Sequence, residues 1–249
     1  MESKTACSTT IPSTSTADPM ARHLTNAKLF DPTTMQHIYE NMAYEAYISR
    51  EYSPYFFIEM VRNGFTVSTL MGREGEECLM PIMPKEAILL EHKHLHISKK
   101  VRKLMAKSNY SLSINTHFEE ILERILEVYK EDCFMHPSYI RLLRKLETIK
   151  YKEFRFISCA LIDHQDGNVV AGELGYIIRN RYVGISKFSM KDKGHTNLGT
   201  LQRVLLTKYL SKTKRIYLSD LGRTFLEYKM ALGAKSYDRQ AYLAKCVYC

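Results

Sequence analysis

Residues Val169 to Met190 read Val-Val-Ala-Gly-Glu-Leu-Gly-Tyr-Ile-Ile-Arg-Asn-Arg-Tyr-Val-Gly-Ile-Ser-Lys-Phe-Ser-Met, and the rest of the chain is organised around this stretch. β-Branched and aromatic residues dominate on both sides of Asn180, which predicts two strands joined by a turn. Gly172, Gly175 and Gly184 interrupt these strands. Glycine weakens a strand unless a bulge or a close approach needs the missing side chain. We therefore expect a sheet left open for a ligand, with tightly packed strands as the alternative.

The segments that flank this hairpin indicate the fold class. Each shows a strand pattern, a helical pattern or turn chemistry, and the strands follow one another through short connections. Consecutive strands with short turns favour an α+β fold, with a mainly antiparallel sheet flanked by helices. The predicted elements are a strand over 154–163, a turn over 165–167, a helix over 200–211, a strand over 215–220, and a helix capped by Thr224 and closed by Gly233.

The N-terminal part predicts a separate small α/β domain. Asp31 and Pro32 begin a helical pattern that continues to Tyr52, and a second helix begins at Pro54 and ends at Gly64. Short apolar runs then indicate small strands. The predicted organisation is a disordered Ser/Thr-rich tail over 1–25, a small domain over 26–90 and a main domain over 91–249.

Composition limits the class of partner. The 249 residues include 36 Lys and Arg against 27 Asp and Glu, a net charge of +9, which favours a polyanion such as nucleic acid. Six scattered cysteines do not suggest a disulfide framework, so we expect a reducing, intracellular environment. No run of about 18 apolar residues occurs, so the sequence predicts no membrane partner.

Two groups of residues could in principle bind a metal. His92, His94 and His96 alternate and would share one face of a strand, and Cys246 and Cys249 form a Cys-x-x-Cys pair. Neither group has enough further ligands close by in the sequence. We expect hydrogen-bonded or solvated histidines and no metal.

A basic amphipathic helix is predicted after Ser98. Ser98 is a suitable N-cap, and Ile97, Val101, Leu104 and Met105 fall on one face. The remaining positions are mostly basic, and they form either an RNA-binding surface or an ordinary solvated face. Its basic residues are Lys99, Lys100, Arg102, Lys103 and Lys107.

These features, in this order, resemble the leucyl/phenylalanyl-tRNA-protein transferases. The resemblance runs from about Phe57 to Leu243. Its landmarks are Leu95-His96-Ile97-Ser98 with the basic helix, Gly184-Ile185-Ser186-Lys187-Phe188, and Leu232-Gly233-Ala234 with Arg239 and Tyr242-Leu243 behind it. The family implies an acyl-CoA N-acyltransferase-like domain preceded by a small domain, and transfer of Leu or Phe from charged tRNA to a protein N-terminus.

The resemblance also implies roles for individual residues. Asp220, which ends an apolar strand, matches the family's functional aspartate and is the candidate catalytic residue: a carboxylate at an exposed strand end could orient or deprotonate the acceptor amine. An aspartate that begins a turn is the structural alternative. The implied partners are aminoacyl-tRNA and acceptor proteins with a basic N-terminal residue, with no cofactor, and the implied state is a cytoplasmic monomer. The implied aminoacyl pocket is Gly172, Gly184, Ile185, Ser186 and Phe188, and the implied tRNA contacts are Lys99, Lys100, Arg102, Lys103 and Lys187.

Two other functions remain as alternatives. Ile185 and Gly222 stand where the family usually has Glu and Gln, which favours a non-catalytic tRNA- or RNA-binding protein of the same fold, whereas retention of Asp220 opposes it. A CoA-dependent N-acetyltransferase would need a Gly-rich phosphate loop at a helix start. The segment from Lys193 to Gly199 occupies that place, but its glycines are five residues apart.

Overall fold

The computed structural model describes residues 22–72, 74–190, 196–222 and 226–248. The chain divides into two compact units, one of residues 1–83 and 126–145 and the other of residues 84–125 and 146–249. Most of the predicted tail, the first part of the 193–199 loop, Thr224 and Cys249 lie outside the described residues. Residues 22–25 were assigned to the tail, yet Leu24 is buried and donates its backbone N–H to Ile48, so that boundary is wrong.

The first unit combines three short helices with a two-stranded antiparallel sheet. Its helices are α1 (Asn26–Phe30), α2 (Pro32–Glu40) and α3 (Pro54–Arg62), and its strands are β1 (Thr66–Met71) and β2 (Glu77–Ile82). Residues 126–145 complete it, since the Tyr139 hydroxyl donates to the Val67 carbonyl at 3.3 Å and the Tyr139 ring lies against Phe57.

The predicted helix from Asp31 to Tyr52 is half as long in the structure. Asp31 caps α2 as expected, because its carboxylate accepts the Thr34 N–H at 3.0 Å, but the helix ends at Glu40. Residues beyond it are extended, and Tyr47 donates to the Pro81 carbonyl at 2.8 Å. Pairing with β2 therefore overrides an amphipathic pattern that is helical in sequence alone.

The second unit is built on a seven-stranded sheet with the order β4-β5-β6-β7-β8-β3-β9. Every pair is antiparallel except β7–β8, so the predicted α+β class with a mainly antiparallel sheet is confirmed. The strands are β3 (Glu86–Glu91), β4 (Tyr110–Ile114), β5 (Phe154–Asp163), β6 (Val169–Ile178), β7 (Arg181–Ser189), β8 (Leu218–Asp220) and β9 (Lys235–Asp238). Its helices are α4 (Lys99–Lys107), most of α5 (Phe118–Tyr129), α7 (Leu198–Tyr209), α8 (Glu227–Ala231) and α9 (Arg239–Cys246), whereas most of α6 (Pro137–Thr148) belongs to the first unit.

This division differs from the predicted boundary at residue 90. Strand β3 lies inside the large sheet, between β8 and β9, rather than in the small domain. The segment 126–145 was predicted to lie in the main domain but belongs to the first unit. Neither difference can be predicted from a local sequence pattern, because the partners of a segment depend on the topology of the whole chain.

Helices cover both faces of the large sheet. Helices α4 and α7 share an apolar cluster on one face, in which Val101 and Leu201 pack against Ala171 of β6. On the opposite face, α9 contacts β7 through the Arg181 guanidinium, which lies 5.6 Å from the Tyr242 ring. Consecutive strand residues point to opposite faces, so Arg181 faces α9 and Tyr182 faces α7.

Two landmarks of the sequence meet in this unit, at His96 and Leu232, which are 136 positions apart. His96 donates its backbone N–H to the Leu232 carbonyl at 2.9 Å. Gly233 has φ +92°, and a Cβ there would lie 2.1 Å from the His94 carbonyl oxygen. The Leu232-Gly233-Ala234 motif therefore needs its glycine for both its backbone conformation and this close approach.

Candidate functional site

A gap opens in the large sheet where β7 and β8 separate. Their parallel pairing covers three residue pairs and ends at Val183 and Asp220. The chain after Asp220 stays with β3, because Leu221 donates to the Ile88 carbonyl at 2.9 Å and Ile88 donates to the Gly222 carbonyl at 3.0 Å. Strand β7 continues to Ser189 along the other side. We call the unpaired region between them the β7–β8 gap; Gly184, Ile185 and Lys187 lie on its β7 side, and Leu221 and Gly222 lie on its β8 side.

A bulge shapes the β7 side of this gap. In the β6–β7 register, Leu174 pairs with Ser186 and Gly175 pairs with Gly184, so Ile185 is the extra residue. A bulge bends its strand and re-aims the side chains beside it. Ile185 is therefore the bulged residue of β7. It is also the residue that replaces the glutamate usual in the family.

A buried ion pair lies beneath the gap on the α7 face. Arg203 of α7 donates to Glu173 of β6, and the Tyr182 hydroxyl donates to the same carboxylate oxygen at 3.1 Å. The side chains of Arg203 and Glu173 are 6% and 1% exposed. Within the described part of the chain, Glu173 Oε2 and Arg203 Nη1 are buried and have no hydrogen-bond partner. Buried polar atoms without a hydrogen-bond partner in the protein are rare in protein interiors.

Two lysines lie with this pair. Lys187 of β7 donates to the Tyr228 hydroxyl at 2.9 Å, and its ammonium lies 4.2 Å from the centre of the Tyr228 ring. Lys229 of α8 is buried and donates to the Leu221 carbonyl. Burial, followed by repulsion from Arg203, lowers the pKa of Lys187 to about 8. Burial, followed by repulsion from Lys187, lowers the pKa of Lys229 to about 8. The α7 face of the gap is therefore rich in positive charge.

Asp220 is not the exposed strand end that the sequence suggested. It is 1% exposed, and its carboxylate accepts the Gly222 N–H at 2.9 Å and the Tyr242 hydroxyl at 3.2 Å. Burial raises the pKa of Asp220, and the positive charge of Arg181 acts in the opposite direction. The turn expected as the structural alternative is present, because Gly222 has φ +82° and closes onto the carboxylate.

A histidine fixes the strand that carries Asp220. His92 is 9% exposed, and its ring nitrogens lie 2.7 Å from the hydroxyls of Ser211 and Ser219. The Ser211 hydroxyl donates to Thr207, so its oxygen accepts from His92 Nδ1–H, and Nε2 accepts from Ser219. Burial lowers the pKa of His92 to about 4, which keeps the ring neutral. His92 thus ties β8 to the end of α7.

The histidine trio does not form a metal site. Strand β3 ends at Glu91, and His92–His94 form a 3₁₀ turn, so the three rings do not share a strand face. His94 and His96 are exposed, whereas His92 is buried between two serines. The described residues contain no cluster of three or more metal-ligand side chains.

The predicted aminoacyl pocket residues lie on different faces of the hairpin. Gly172 pairs with Phe188, and Ser186 shares their face because it pairs with Leu174. Gly184 faces α7, where a Cβ would lie 2.4 Å from Glu173 Oε1. The structure therefore brings Gly184 and Ile185 to the gap and places Gly172 and buried Phe188 in the opposite core.

The hairpin glycines make room for the protein's own side chains. A Cβ at Gly172 would lie 2.7 Å from the Phe188 ring and 2.8 Å from Ile121 of α5. At Gly175 a Cβ would lie 2.3 Å from the Tyr182 hydroxyl. The expectation that these glycines leave the sheet open is wrong. The opening comes instead from the separation of β7 and β8.

The basic helix has the predicted form. The Ser98 hydroxyl accepts the Val101 N–H at 3.3 Å, and Val101 is buried against α7. All the predicted RNA contacts on this helix are exposed: Lys99, Lys100, Arg102 and Lys103. Lys187 is not on this surface, since it contacts Tyr228 at the gap.

Sequence reasoning missed Glu173, Arg203 and Lys229. The usable signal was a lone carboxylate within the apolar strand Val169–Ile178, because a charge in a strand buried on both faces needs a partner. That partner, Arg203, lies 30 positions away on α7. A single sequence carries no sign of this pairing.

Comparison with solved structures gives low similarity. L-PGS from Bacillus licheniformis is 11% identical, with 72% of this chain and 53% of that chain covered and a TM-score of 0.40. A tandem GNAT protein from the clavulanic acid biosynthesis pathway is 11% identical, with 83% and 64% covered and a TM-score of 0.42. A GCN5-related N-acetyltransferase from Kribbella flavida is 10% identical, with 88% and 72% covered and a TM-score of 0.35. The chain spans less than two thirds of the first two proteins.

Comparison with protein families is more informative. A search of curated protein sequences found no match. Among the described residues, no helix has the length and apolar character needed to cross a bilayer. The family model for leucyl/phenylalanyl-tRNA protein transferase matches residues 89–246, which is more than half of the chain and includes all seven strands of the large sheet except the first residues of β3. The chain therefore belongs to the leucyl/phenylalanyl-tRNA protein transferase family.

Proposed function

We propose that this protein transfers leucine or phenylalanine from charged tRNA to the N-terminal amine of acceptor proteins that begin with a basic residue. It would act as a cytoplasmic monomer and mark those proteins for degradation. Family membership supports the transferase class. The observation that carries the proposal is the β7–β8 gap, because Gly184, Ile185 and Gly222 border it at the positions matching the family's functional residues.

The proposed reaction is aminolysis of an ester. The acceptor amine attacks the aminoacyl carbonyl carbon, a C–N bond forms, and the ester C–O bond breaks, so that the ribose hydroxyl leaves with a proton from the amine. A terminal amine has a pKa of about 8 and is partly neutral at pH 7. Positioning of the two substrates can therefore supply much of the rate.

Asp220 would act in this reaction as a positioning residue. Its carboxylate holds the Gly222 N–H and the Tyr242 hydroxyl, and Gly222 borders the gap. In Asp220→Asn the amide oxygen can still accept the Gly222 N–H, but the amide nitrogen cannot accept from the Tyr242 hydroxyl, so the border should shift. We expect Asp220→Asn to slow single-turnover transfer by about 100-fold while tRNA affinity stays nearly constant.

The partly buried bulge residue supports an apolar donor. Ile185 stands where a glutamate is usual and offers an aliphatic contact at the gap. Leu and Phe gain from burying apolar surface, whereas a charged side chain loses hydration. We therefore expect Leu-tRNA and Phe-tRNA to be used better than Arg-tRNA.

A transfer assay tests the proposal. Radiolabelled Leu-tRNA, Phe-tRNA or Arg-tRNA is incubated with a peptide that begins with Lys or Arg, and label in the peptide is measured. The same peptide with an acetylated N-terminus is the matched control, because it has no free amine. Better use of Arg-tRNA, or equal labelling of the acetylated peptide, would contradict the proposal.

The burial of Asp220 favours one second candidate, a non-catalytic tRNA-binding protein. A carboxylate closed off from solvent cannot itself contact an incoming amine. Such a protein would bind tRNA through α4 and yet label neither peptide. Binding and transfer measured on the same preparation separate the two functions.

A further inference from the structure

Helix α9 contacts both of the strands that separate at the β7–β8 gap. On the β8 side, the Tyr242 hydroxyl donates to the Asp220 carboxylate at 3.2 Å. On the β7 side, the Arg181 guanidinium donates to the Cys246 carbonyl at 2.7 Å. Cys246 is the last residue of α9, and the last carbonyls of a helix have no partner within it. One helix is therefore bonded to both strands through buried polar groups.

The sheet register places Arg181 and Asp220 on the same face, the one covered by α9. In the parallel pairing, Val183 lies opposite Asp220, and Arg181 precedes Val183 by two positions. Residues two positions apart share a face of the sheet and lie about 7 Å apart along the strand. The long side chain of arginine can span that distance. Burial raises the pKa of Asp220, and the positive charge of Arg181 is the largest effect in the opposite direction.

The neighbours of Asp220 in the sheet are apolar or aromatic. Val183 lies opposite it on β7, Leu89 lies opposite it on β3, and Tyr176 lies beyond Val183 on β6. All three side chains are buried. A carboxylate in such surroundings loses its hydration, so its charge depends on the cations and hydrogen-bond donors that the protein supplies.

We propose that Arg181 is a positioning residue for Asp220 and that α9 holds the two residues in place across the β7–β8 gap. The cation keeps the carboxylate charged, and the Tyr242 hydroxyl fixes its Oδ2 atom. The Oδ1 atom then orients the Gly222 N–H, which lies on the β8 side of the gap. Arg181 acts through Asp220 and not on the substrates. Its effect on transfer rests on the proposed function, whereas its effect on Asp220 does not.

The ionisation of Asp220 can be followed at the Gly222 amide, because this N–H donates to the carboxylate at 2.9 Å. Burial raises the pKa of the two tyrosines nearby, and burial lowers the pKa of Lys229 only to about 8, so these groups keep their charge state between pH 7 and pH 4. His92 titrates near pH 4 but lies on the opposite face, beside Ser219. The groups that face Asp220 come from four elements: Tyr176 of β6, Arg181 of β7, Lys229 of α8 and Tyr242 of α9.

The test records the amide NMR signal of Gly222 in the full-length protein, with isotope-labelled glycine, from pH 7 to pH 4. Asp220→Asn should abolish the titration of this signal. Tyr242→Phe keeps the aromatic ring beside Arg181 and removes the hydroxyl, so the midpoint should rise by about one pH unit. Arg181→Gln removes the cation, and the midpoint should rise by about one unit or more.

Arg179→Gln is the matched control. Arg179 donates to the Val247 carbonyl, which follows Cys246 at the same end of α9. A purely structural role in holding that helix end would therefore be shared by Arg179 and Arg181. Arg179→Gln should leave the midpoint of Asp220 unchanged, and an equal shift in both arginine variants would overturn the inference.

A double variant keeps the test decisive if Arg181→Gln does not fold, since that change leaves Asp220 as a buried charge without this cation. Arg181→Gln combined with Asp220→Asn removes both charges. The double variant should fold, and Arg181→Gln should lower the urea midpoint less in the Asp220→Asn background than in the wild type. Three results would contradict the inference: equal lowering in both backgrounds, a double variant that is unfolded where Asp220→Asn alone folds, or a wild-type titration midpoint in folded Arg181→Gln.

The transfer assay adds a kinetic test that depends on the proposed function. Tyr242→Phe should lower kcat by about 10-fold and leave the KM for charged tRNA within about twofold, because it changes the border of the gap and no tRNA contact. Arg179→Gln should leave both constants unchanged. A normal kcat in Tyr242→Phe would show that the positioning of Asp220 does not serve transfer. If the wild-type protein transfers nothing, the proposed function fails, and the amide titration still decides whether Arg181 acts on Asp220.

Discussion

At the scale of single residues, the burial of Asp220 changes what its substitution should do. An aspartate at an exposed strand end would contribute about 1 kcal/mol or less to stability. Here the carboxylate is buried, accepts two hydrogen bonds and is stabilised by the positive charge of Arg181. We expect Asp220→Ala to lower the free energy of unfolding by about 3 kcal/mol or more, measured by urea denaturation.

The matched control for this variant is Asp132→Ala, because Asp132 is exposed. Its effect should be within about 0.5 kcal/mol. Asp220→Asn should cost less than Asp220→Ala, since the amide oxygen still accepts the Gly222 N–H. If Asp220→Ala were as stable as Asp132→Ala, the buried network would not contribute to folding.

His92 gives a pH dependence of stability. Its pKa is about 4 in the folded protein and about 6.5 when unfolded, so the unfolded state binds the extra proton between these values. Stability should therefore be full above pH 6.5 and fall as the pH drops toward 4, by about 3 kcal/mol at most. His92→Gln should flatten this part of the curve of unfolding free energy against pH. Parallel curves for the two proteins would show that His92 is not the group responsible.

At the scale of elements, a helix or turn was predicted correctly where the residues that specify it lie close together in the sequence. Helix α4 was predictable because its N-cap and its apolar face lie within a few residues of one another. The same holds for the turn between β6 and β7. The helix expected to reach Tyr52 fails because residues 46–49 gain backbone hydrogen bonds from β2, which the helical pattern does not reveal.

Helix α4 is where RNA affinity should be tested. Changing its four predicted contacts to Ala removes exposed charges without disturbing buried Val101, so folding should be kept. Affinity for many tRNAs should fall alike, and the slope of log affinity against log salt should decrease by about 3 if each residue contacts a phosphate. The four residues are Lys99, Lys100, Arg102 and Lys103.

The control for this experiment removes four exposed basic residues elsewhere: Lys150, Lys152, Arg155 and Lys235. Both variants have the same net charge, so a general charge effect would change both slopes equally. A local RNA contact would change the slope of the α4 variant much more. Equal slopes would therefore contradict the assignment of α4 to RNA binding.

At the scale of the whole molecule, the class of the sheet was predictable and its connections were not. Short turns between consecutive strands indicated antiparallel pairing, which β5, β6 and β7 confirm. The parallel pairing of β7 with β8, which opens the gap, and the insertion of β3 between β8 and β9 join segments far apart in sequence. The candidate site was therefore found only in part. Gly184, Ile185 and Asp220 pointed to its borders, whereas Arg203 and Lys229 depend on the tertiary fold.

The first unit depends on two separate segments of the chain, and this predicts how fragments behave. Tyr139 is fully buried and donates to Val67, and Ser138 donates its backbone N–H to the Glu77 carboxylate at 2.6 Å. A fragment of residues 84–249 keeps Tyr139 and its buried neighbours Leu142 and Leu143 but lacks residues 1–83, so these apolar side chains would be exposed to water.

We expect this fragment to bind a hydrophobic dye and to unfold over a broader range of urea concentration than the full chain. Adding residues 22–83 as a separate polypeptide should restore part of the sharp transition, because it supplies the missing strands and helices. A variant of the fragment with Tyr139→Gln, Leu142→Gln and Leu143→Gln is the matched control and should bind less dye. A fragment that unfolds as sharply as the full chain and binds no dye would show that residues 126–145 do not need the N-terminal segment, and that the boundary near residue 90 divides the protein correctly.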